Sequence, residues 1–218
     1  TIDRDGSVYW AEYWDNPERE RVRIMKSTDG GQTWKLAYQF PPGEIRHIHA
    51  IQFDPYWNAL WILTGDGNSE SSIRYSLDGG SSFTTIGSGS QKWRAVSLLF
   101  TERYLFWGMD GISKAHPEPK LWRWDRKTRR SMELATLDSY AFYSAKLDNG
   151  RLVLSTEGSN GSAALWISDD ETNWHQVCRW KRKRKNHYGS IRMIPYKNRI
   201  LVTSVNLKYS NNDLMITQ

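Results

Sequence analysis

The chain is poor in cysteine. Cys178 is the only one in 218 residues, so no internal disulfide can form. Secretion is not excluded by this, because a domain of this length need not be stapled. No apolar run reaches the roughly 18 residues of a membrane-spanning helix, so no membrane span is expected. Residues 1–20 lack a signal-peptide pattern. The chain opens on Thr1 rather than Met, the pattern of a processed or excised piece. Helical periodicity is also missing. Residues 121–134 hold many helix formers, but Trp122 and Trp124 alternate with charged residues as in a strand. Pro117 and Pro119 place the segment before them in a loop. Signatures of nucleic-acid-binding modules are absent, so nucleic acid is not expected as a partner.

What the chain does contain is aromatic and basic. Trp 12, Tyr 11 and Phe 6 suit pleated surfaces. A net charge of +6 favours polyanionic partners or, more simply, solubility. The length suits one sizeable all-β domain or two small ones.

One stretch returns along the chain. Ser27-Thr-Asp29-Gly-Gly31-Gln-Thr-Trp34 is matched by Ser76-Leu-Asp78-Gly-Gly80-Ser-Ser-Phe83. Ser168-Asp-Asp170-Glu-Thr-Asn-Trp174 is a worn copy, one residue shorter. Asp-Gly-Gly between β-rich runs signals a tight turn: glycine supplies positive φ, and the Asp and Ser side chains can bond turn N–H groups. The closing aromatic can pack back under the hairpin. A calcium role is the sharper alternative, but one Asp among Gly and Ser offers too few oxygens.

From Asp29 to Asp78 is 49 residues, to Asp125 a further 47, and to Asp170 a further 45. A period in the forties with strands inside each unit suits the four-stranded blade of a β-propeller. The expected fold is therefore all-β: a single propeller domain over 1–218, with about five blade-like units of four antiparallel strands. The units fall near 1–43, 44–90, 91–138, 139–186 and 187–218. In the second unit the strands are expected at 47–54, 60–65, 72–77 and 83–87. The first strand of the third unit is expected at 95–100. The terminal units hold three strands each. Either five blades close imperfectly, or the chain is part of a longer propeller. Bare edge strands would also permit oligomers.

These motifs and the run from His49-Ala-Ile-Gln-Phe-Asp-Pro55 through Thr64-Gly-Asp66 resemble the Asp-box, or BNR-repeat, proteins of the sialidase-like superfamily. The resemblance covers roughly residues 8–180. It implies a propeller whose ligand rim lies opposite the Asp-box turns, and an extracellular or cell-surface setting. The sialidase Arg-Ile-Pro motif is absent, and its three arginines are not matched one by one, with Arg46, Arg94 and Arg192 as candidates. Sialidase chemistry is therefore not carried over by fold alone.

On the rim predicted from the repeat, the second strands of the units end in Glu12, Asp66, Asp110, Glu157 and Asn206. The alternative is that each carboxylate satisfies turn N–H groups. The first strands add Arg46, His47, His49, Arg94, Tyr140, His187 and Tyr188. Arginine forks grip carboxylate or sulfate. This composition predicts recognition of a carbohydrate, and of an anionic glycan in particular. Two further readings stay open. One is a glycoside hydrolase or lyase whose catalytic candidates are Asp66, Asp110, Glu157 and Glu12. The other is a protein-interaction scaffold using the basic run Arg179-Trp-Lys-Arg-Lys-Arg-Lys185 as a polyanion contact. No cofactor is expected. His47 and His49 with Asp66 are the candidate metal ligands weighed against packed, hydrogen-bonded histidines, and the second reading is adopted.

Overall fold

A computed structural model describes residues 1–115, 117–157, 162–184, 189–208 and 215–217. Among the described residues, five antiparallel sheets follow one another in chain order. The first holds β1 (Val8–Ala11), β2 (Val22–Ser27) and β3 (Lys35–Phe40). The second holds β4 (His47–Asp54), β5 (Ala59–Gly65), β6 (Ser72–Ser76) and β7 (Thr84–Ser88). The third holds β8 (Leu99–Phe100), β9 (Tyr104–Gly108), β10 (Lys120–Asp125) and β11 (Arg130–Thr136). The fourth holds β12 (Tyr140–Lys146), β13 (Leu152–Glu157), β14 (Ser162–Ser168) and β15 (His175–Lys181). The fifth holds β16 (Ser190–Tyr196), β17 (Arg199–Val205) and β18 (Met215–Thr217). Within each sheet the strands pair in chain order. This is the all-β organisation of four-stranded blades with three-stranded terminal units.

Burial explains the pattern. The second strand of a four-stranded sheet is covered on both faces, so it reads as an unbroken apolar run rather than an alternation. Every residue of β5 and of β13 is buried. Outer strands such as β7 and β11 are largely exposed and polar.

The chain divides into two compact units, 1–96 with 100–102, and 97–99 with 103–218. In the first, Tyr9, Val22, Ile24, Phe40, Ile48 and Ile62 form the core between the first two sheets. In the second, Val153, Leu165, Ile191 and Val202 pack the fourth sheet on the fifth. Leu121, Ala141 and Leu154 pack the third on the fourth.

The recurring turns close as the side chains require. Ser27 Oγ accepts from Gly31 N–H at 2.8 Å and donates to Asp29 Oδ1 at 2.7 Å. Asp29 in turn accepts from the Thr33 N–H and hydroxyl. Ser76 and Asp78 repeat these bonds with Gly80 and Ser82. In the worn copy, Glu171 adopts φ 62°, the left-handed region that Gly30 and Gly79 take without a Cβ penalty. Trp34 packs edge-on against Trp10 at 6.2 Å.

One expectation needs correcting. The first strand of the third sheet is only Leu99–Phe100, not 95–100, and residues Gln91–Trp93 form a short 3-10 turn. One cause is that the Ala95 carbonyl bonds the His49 ring rather than a strand neighbour. In the basic run, Arg179, Trp180 and Lys181 belong to β15, Arg182 bridges to Leu207, and Lys185 lies outside the described residues.

Candidate functional site

The densest polar cluster lies in the first unit, where β4 begins and β5 ends. β4 and β5 pair as His47 with Gly65 and Ile48 with Thr64, but the register then slips, and Ala50 faces Leu63. His49 is the extra residue of this bulge. Bulges re-aim side chains, and here the two imidazole nitrogens Nε2 of His47 and His49 stand 3.1 Å apart. Each ring is fixed from behind. His47 Nδ1 lies 3.1 Å from the Trp14 carbonyl oxygen, and His49 Nδ1 lies 3.1 Å from that of Ala95. A carbonyl only accepts, so each Nδ1 carries the proton.

Asp66 sits one residue beyond β5 and gathers the cluster. Its Oδ1 lies 3.3 Å from His49 Nε2 and 3.1 Å from Arg94 Nη2. Its Oδ2 lies 3.1 Å from Arg46 Nη1 and 3.6 Å from His47 Nε2. The hydrogen bond with His49, then the charges of Arg94 and His47, hold the Asp66 carboxyl well below the usual carboxylate range. Burial pushes the His47 imidazole down. A second layer fixes Arg46. Its guanidinium also pairs with Asp15, its backbone N–H donates to Glu70 Oε2 at 2.8 Å, and Glu70 is held by Arg19 at 2.7 Å. Gln91 Nε2 and Arg94 Nη1 donate to the Asp66 carbonyl at 2.9 and 3.3 Å. Tyr13, 67% exposed, lies across the His47 ring with centroids 4.3 Å apart.

So Arg46, His47, His49, Asp66 and Arg94 come together. Glu12 is used otherwise: it accepts from the Arg23 N–H of β2 at 2.8 Å and pairs with the Arg23 guanidinium. In the second unit Asp110 and Glu157 are both buried. Burial, then the nearby Asp110 charge, push the Glu157 carboxyl up to about 7, with Arg192 acting the other way. Tyr140 pairs with Glu157 across β12 and β13. Asn206 brackets the Arg184 backbone through its amide at 3.0 and 3.1 Å. His187 and Tyr188 lie outside the described residues.

Sequence reasoning missed Tyr13, Trp14, Asp15 and Glu70. The first three lie just past the Trp10-Ala-Glu12 strand end, so extending that stretch by three residues would have caught them. Glu70 stands four residues after Asp66 in the same polar loop, where proximity in sequence was the available signal.

No family model matches the chain, and a search of curated proteins finds no match. Solved structures do resemble it. A nidogen/laminin complex matches with TM-score 0.65 at 10% identity, over 98% of this chain and 75% of the matched one. The α-L-arabinofuranosidase of family GH93 from Fusarium graminearum, solved with arabinobiose, matches with TM-score 0.56 at 15% identity, over 93% and 72%. The GH74 enzyme of Niastella koreensis matches with TM-score 0.52 at 20% identity, over 74% of this chain and 28% of its own length. At such identities the likeness shows the fold alone. That fold is the β-propeller. Among the described residues no helix is long and apolar enough to cross a membrane.

Proposed function

We propose that the protein is a carbohydrate-recognising propeller and that its ligand, an anionic glycan, binds at the Asp66 cluster. One observation carries this reading: a carboxylate and two guanidinium groups, each only partly covered, share a cluster with His47, on whose ring the exposed Tyr13 lies. Sugar hydroxyls need acceptors and donors close together, and a sugar face needs an aromatic to lie on. Asp66 supplies acceptors, Arg46 and Arg94 supply forked donors for a uronate or sulfate, and Tyr13 supplies the platform. Two of the similar structures are named as glycoside hydrolases, which agrees with a sugar ligand without requiring catalysis.

Calorimetry against neutral, uronate-bearing and sulfated oligosaccharides tests this. Tyr13→Ala and Arg94→Ala are expected to weaken binding about tenfold or more. Binding that survives loss of both Asp66 and Arg94 overturns the reading.

A second reading has its own support. Glu157, pushed up to about 7 beside Asp110, is the protonation pattern of an acid paired with a charged partner in glycoside hydrolysis. On that reading Glu157→Gln abolishes hydrolysis of aryl glycosides and Tyr13→Ala does not.

A further inference from the structure

We propose that His47 Nε2, His49 Nε2 and a carboxylate oxygen of Asp66 bind a divalent transition-metal ion of the Zn²⁺ class, with at least one coordination position left open. The inference goes beyond the glycan reading and departs from the expectation of packed, metal-free histidines.

Three facts converge on it. First, both Nδ1 atoms face carbonyl oxygens at 3.1 Å and so are the donor nitrogens of their rings, which leaves both Nε2 atoms turned toward Asp66. Two imidazole nitrogens 3.1 Å apart, with a carboxylate at 3.3 and 3.6 Å, converge on one point, and a metal ion bound there takes the place of any proton they share. Second, the separations have the right size. Zinc bound at about 2.0–2.1 Å in tetrahedral geometry sets its ligand atoms about 3.3–3.4 Å apart. Here the two Nε2 atoms are 3.1 Å apart, and the carboxylate approaches with both oxygens, Oδ1 3.3 Å from His49 Nε2 and Oδ2 3.6 Å from His47 Nε2. Ligand atoms, one from each of the three residues, all lie within 4.8 Å of one another. Third, the supporting shell is the one metal-binding histidines use, an Nδ1–H donated to a backbone carbonyl that fixes the ring and raises its basicity. The β4 bulge builds this arrangement, because it brings residues 47 and 49 to a shared point while both rings stay buried.

The arginines do not compete for the same electron pairs. Each Asp66 oxygen lies 3.1 Å from one guanidinium nitrogen and faces one imidazole nitrogen, and an ionised carboxylate offers about four lone-pair sites in all. Two imidazoles and one carboxylate are the ligand set of an open, catalytic-type zinc site rather than of a closed structural one. Zinc prefers this mixed nitrogen and oxygen set, whereas calcium takes six to eight oxygens.

The test uses the whole chain, dialysed against EDTA, then metal-free buffer. Titration with ZnCl₂ followed by calorimetry, and elemental analysis after desalting, are expected to give one equivalent bound. Co²⁺ in place of Zn²⁺ is expected to give visible d–d absorption. His49→Gln and Asp66→Asn are expected to lose about 100-fold or more in affinity, exceeding the effect of a supporting residue. Glu118→Gln, at an exposed ion pair in the other unit, is expected to bind as wild type. Absence of stoichiometric metal and of the Co²⁺ band in folded wild-type protein overturns the proposal. Equal affinity in both ligand variants does so too. Should the variants not fold, the wild-type Co²⁺ spectrum decides alone. Metal is measured without sugar, so its failure leaves the glycan reading standing, and a metal site without sugar binding removes only that reading.

Discussion

Asp66 and Glu157 occupy corresponding places, each at the end of the second strand of its sheet, yet their surroundings drive them in opposite directions. Asp66 is met by two guanidinium groups and two imidazoles, and its charge is stabilised. Glu157 is buried with the Asp110 carboxylate close by, which outweighs the opposing Arg192 charge, and its own charge is disfavoured. The repeat therefore delivers a carboxyl group to a place, while its protonation and its use are set by what the neighbouring loops supply. One environment favours the ionised carboxylate; the other favours the protonated acid.

The largest effect expected from disturbing this comparison comes from the glycines beside the two sites. A Cβ on Gly108 would stand 2.2 Å from the Ala141 Cβ and 3.0 Å from Leu137 Cδ1. Neither the backbone-borne methyl nor the packed leucine can move cheaply, so Gly108→Ala is expected to cost about 3 kcal/mol in thermal or chemical unfolding. At Gly65 the same change meets Ser71 Oγ at 3.0 Å and Arg94 Cγ at 3.4 Å. A hydroxyl and a flexible arginine can yield. Gly65→Ala is expected to cost under about 1 kcal/mol in stability but to displace Arg94 from Asp66, so ligand binding weakens more than folding does. Equal stability losses at the two glycines would break the comparison.

Next come the carboxylates themselves. Asp66→Asn removes the anion that Arg46 and Arg94 share and is expected to destabilise by about 2 kcal/mol at neutral pH. Glu157→Gln should do the reverse. The folded-state value of Glu157 lies above its ordinary 4.5, so its contribution to stability is complete below about pH 4.5 and is lost as pH rises through about 7. Wild type therefore loses stability on this account between pH 5 and 8, by no more than about 3 kcal/mol. Glu157→Gln removes that slope, leaving stability little changed at pH 5 and raised at pH 8. Melting curves across this pH range check it, and a variant that keeps the wild-type slope would show that Glu157 is not the group responsible.

The difference between the two sites was only partly legible in the sequence. Strand order and turn positions were, because Asp-Gly-Gly and unbroken apolar runs such as Leu60–Leu63 are local signals that packing then reinforces. His47, His49, Asp66, Arg46 and Arg94 were also named, since strand ends in a repeat fall at predictable intervals. The bulge at His49 was not, because it adds one residue without changing the hydrophobic pattern, and the alternation rule assumes an unbroken ladder. Glu70 and Asp15 were missed for a related reason: they reach Arg46 from loops, where no periodicity constrains position. The inverted electrostatics of Glu157 could not be read at all, because burial and a neighbouring charge are properties of the packed state.

The smallest effect separates the well-formed turn of the first unit from the worn one of the second. Ser27 is buried and its hydroxyl holds both the Gly31 N–H and Asp29, at 2.8 and 2.7 Å. Removing it leaves a buried N–H without its acceptor, so Ser27→Ala is expected to cost about 1–2 kcal/mol. Ser168 is equally buried but bonds Asp170 at a longer 3.3 Å, and there Asp170 itself carries the turn through the Thr172 and Asn173 N–H groups at 2.9 and 2.7 Å. Ser168→Ala is accordingly expected to cost no more than about 0.5 kcal/mol, and Asp170→Ala more than Ser168→Ala. Urea unfolding of the three variants checks this ranking. A Ser168 variant as damaging as the Ser27 variant would mean that the serine, rather than the aspartate, organises the turn in both units.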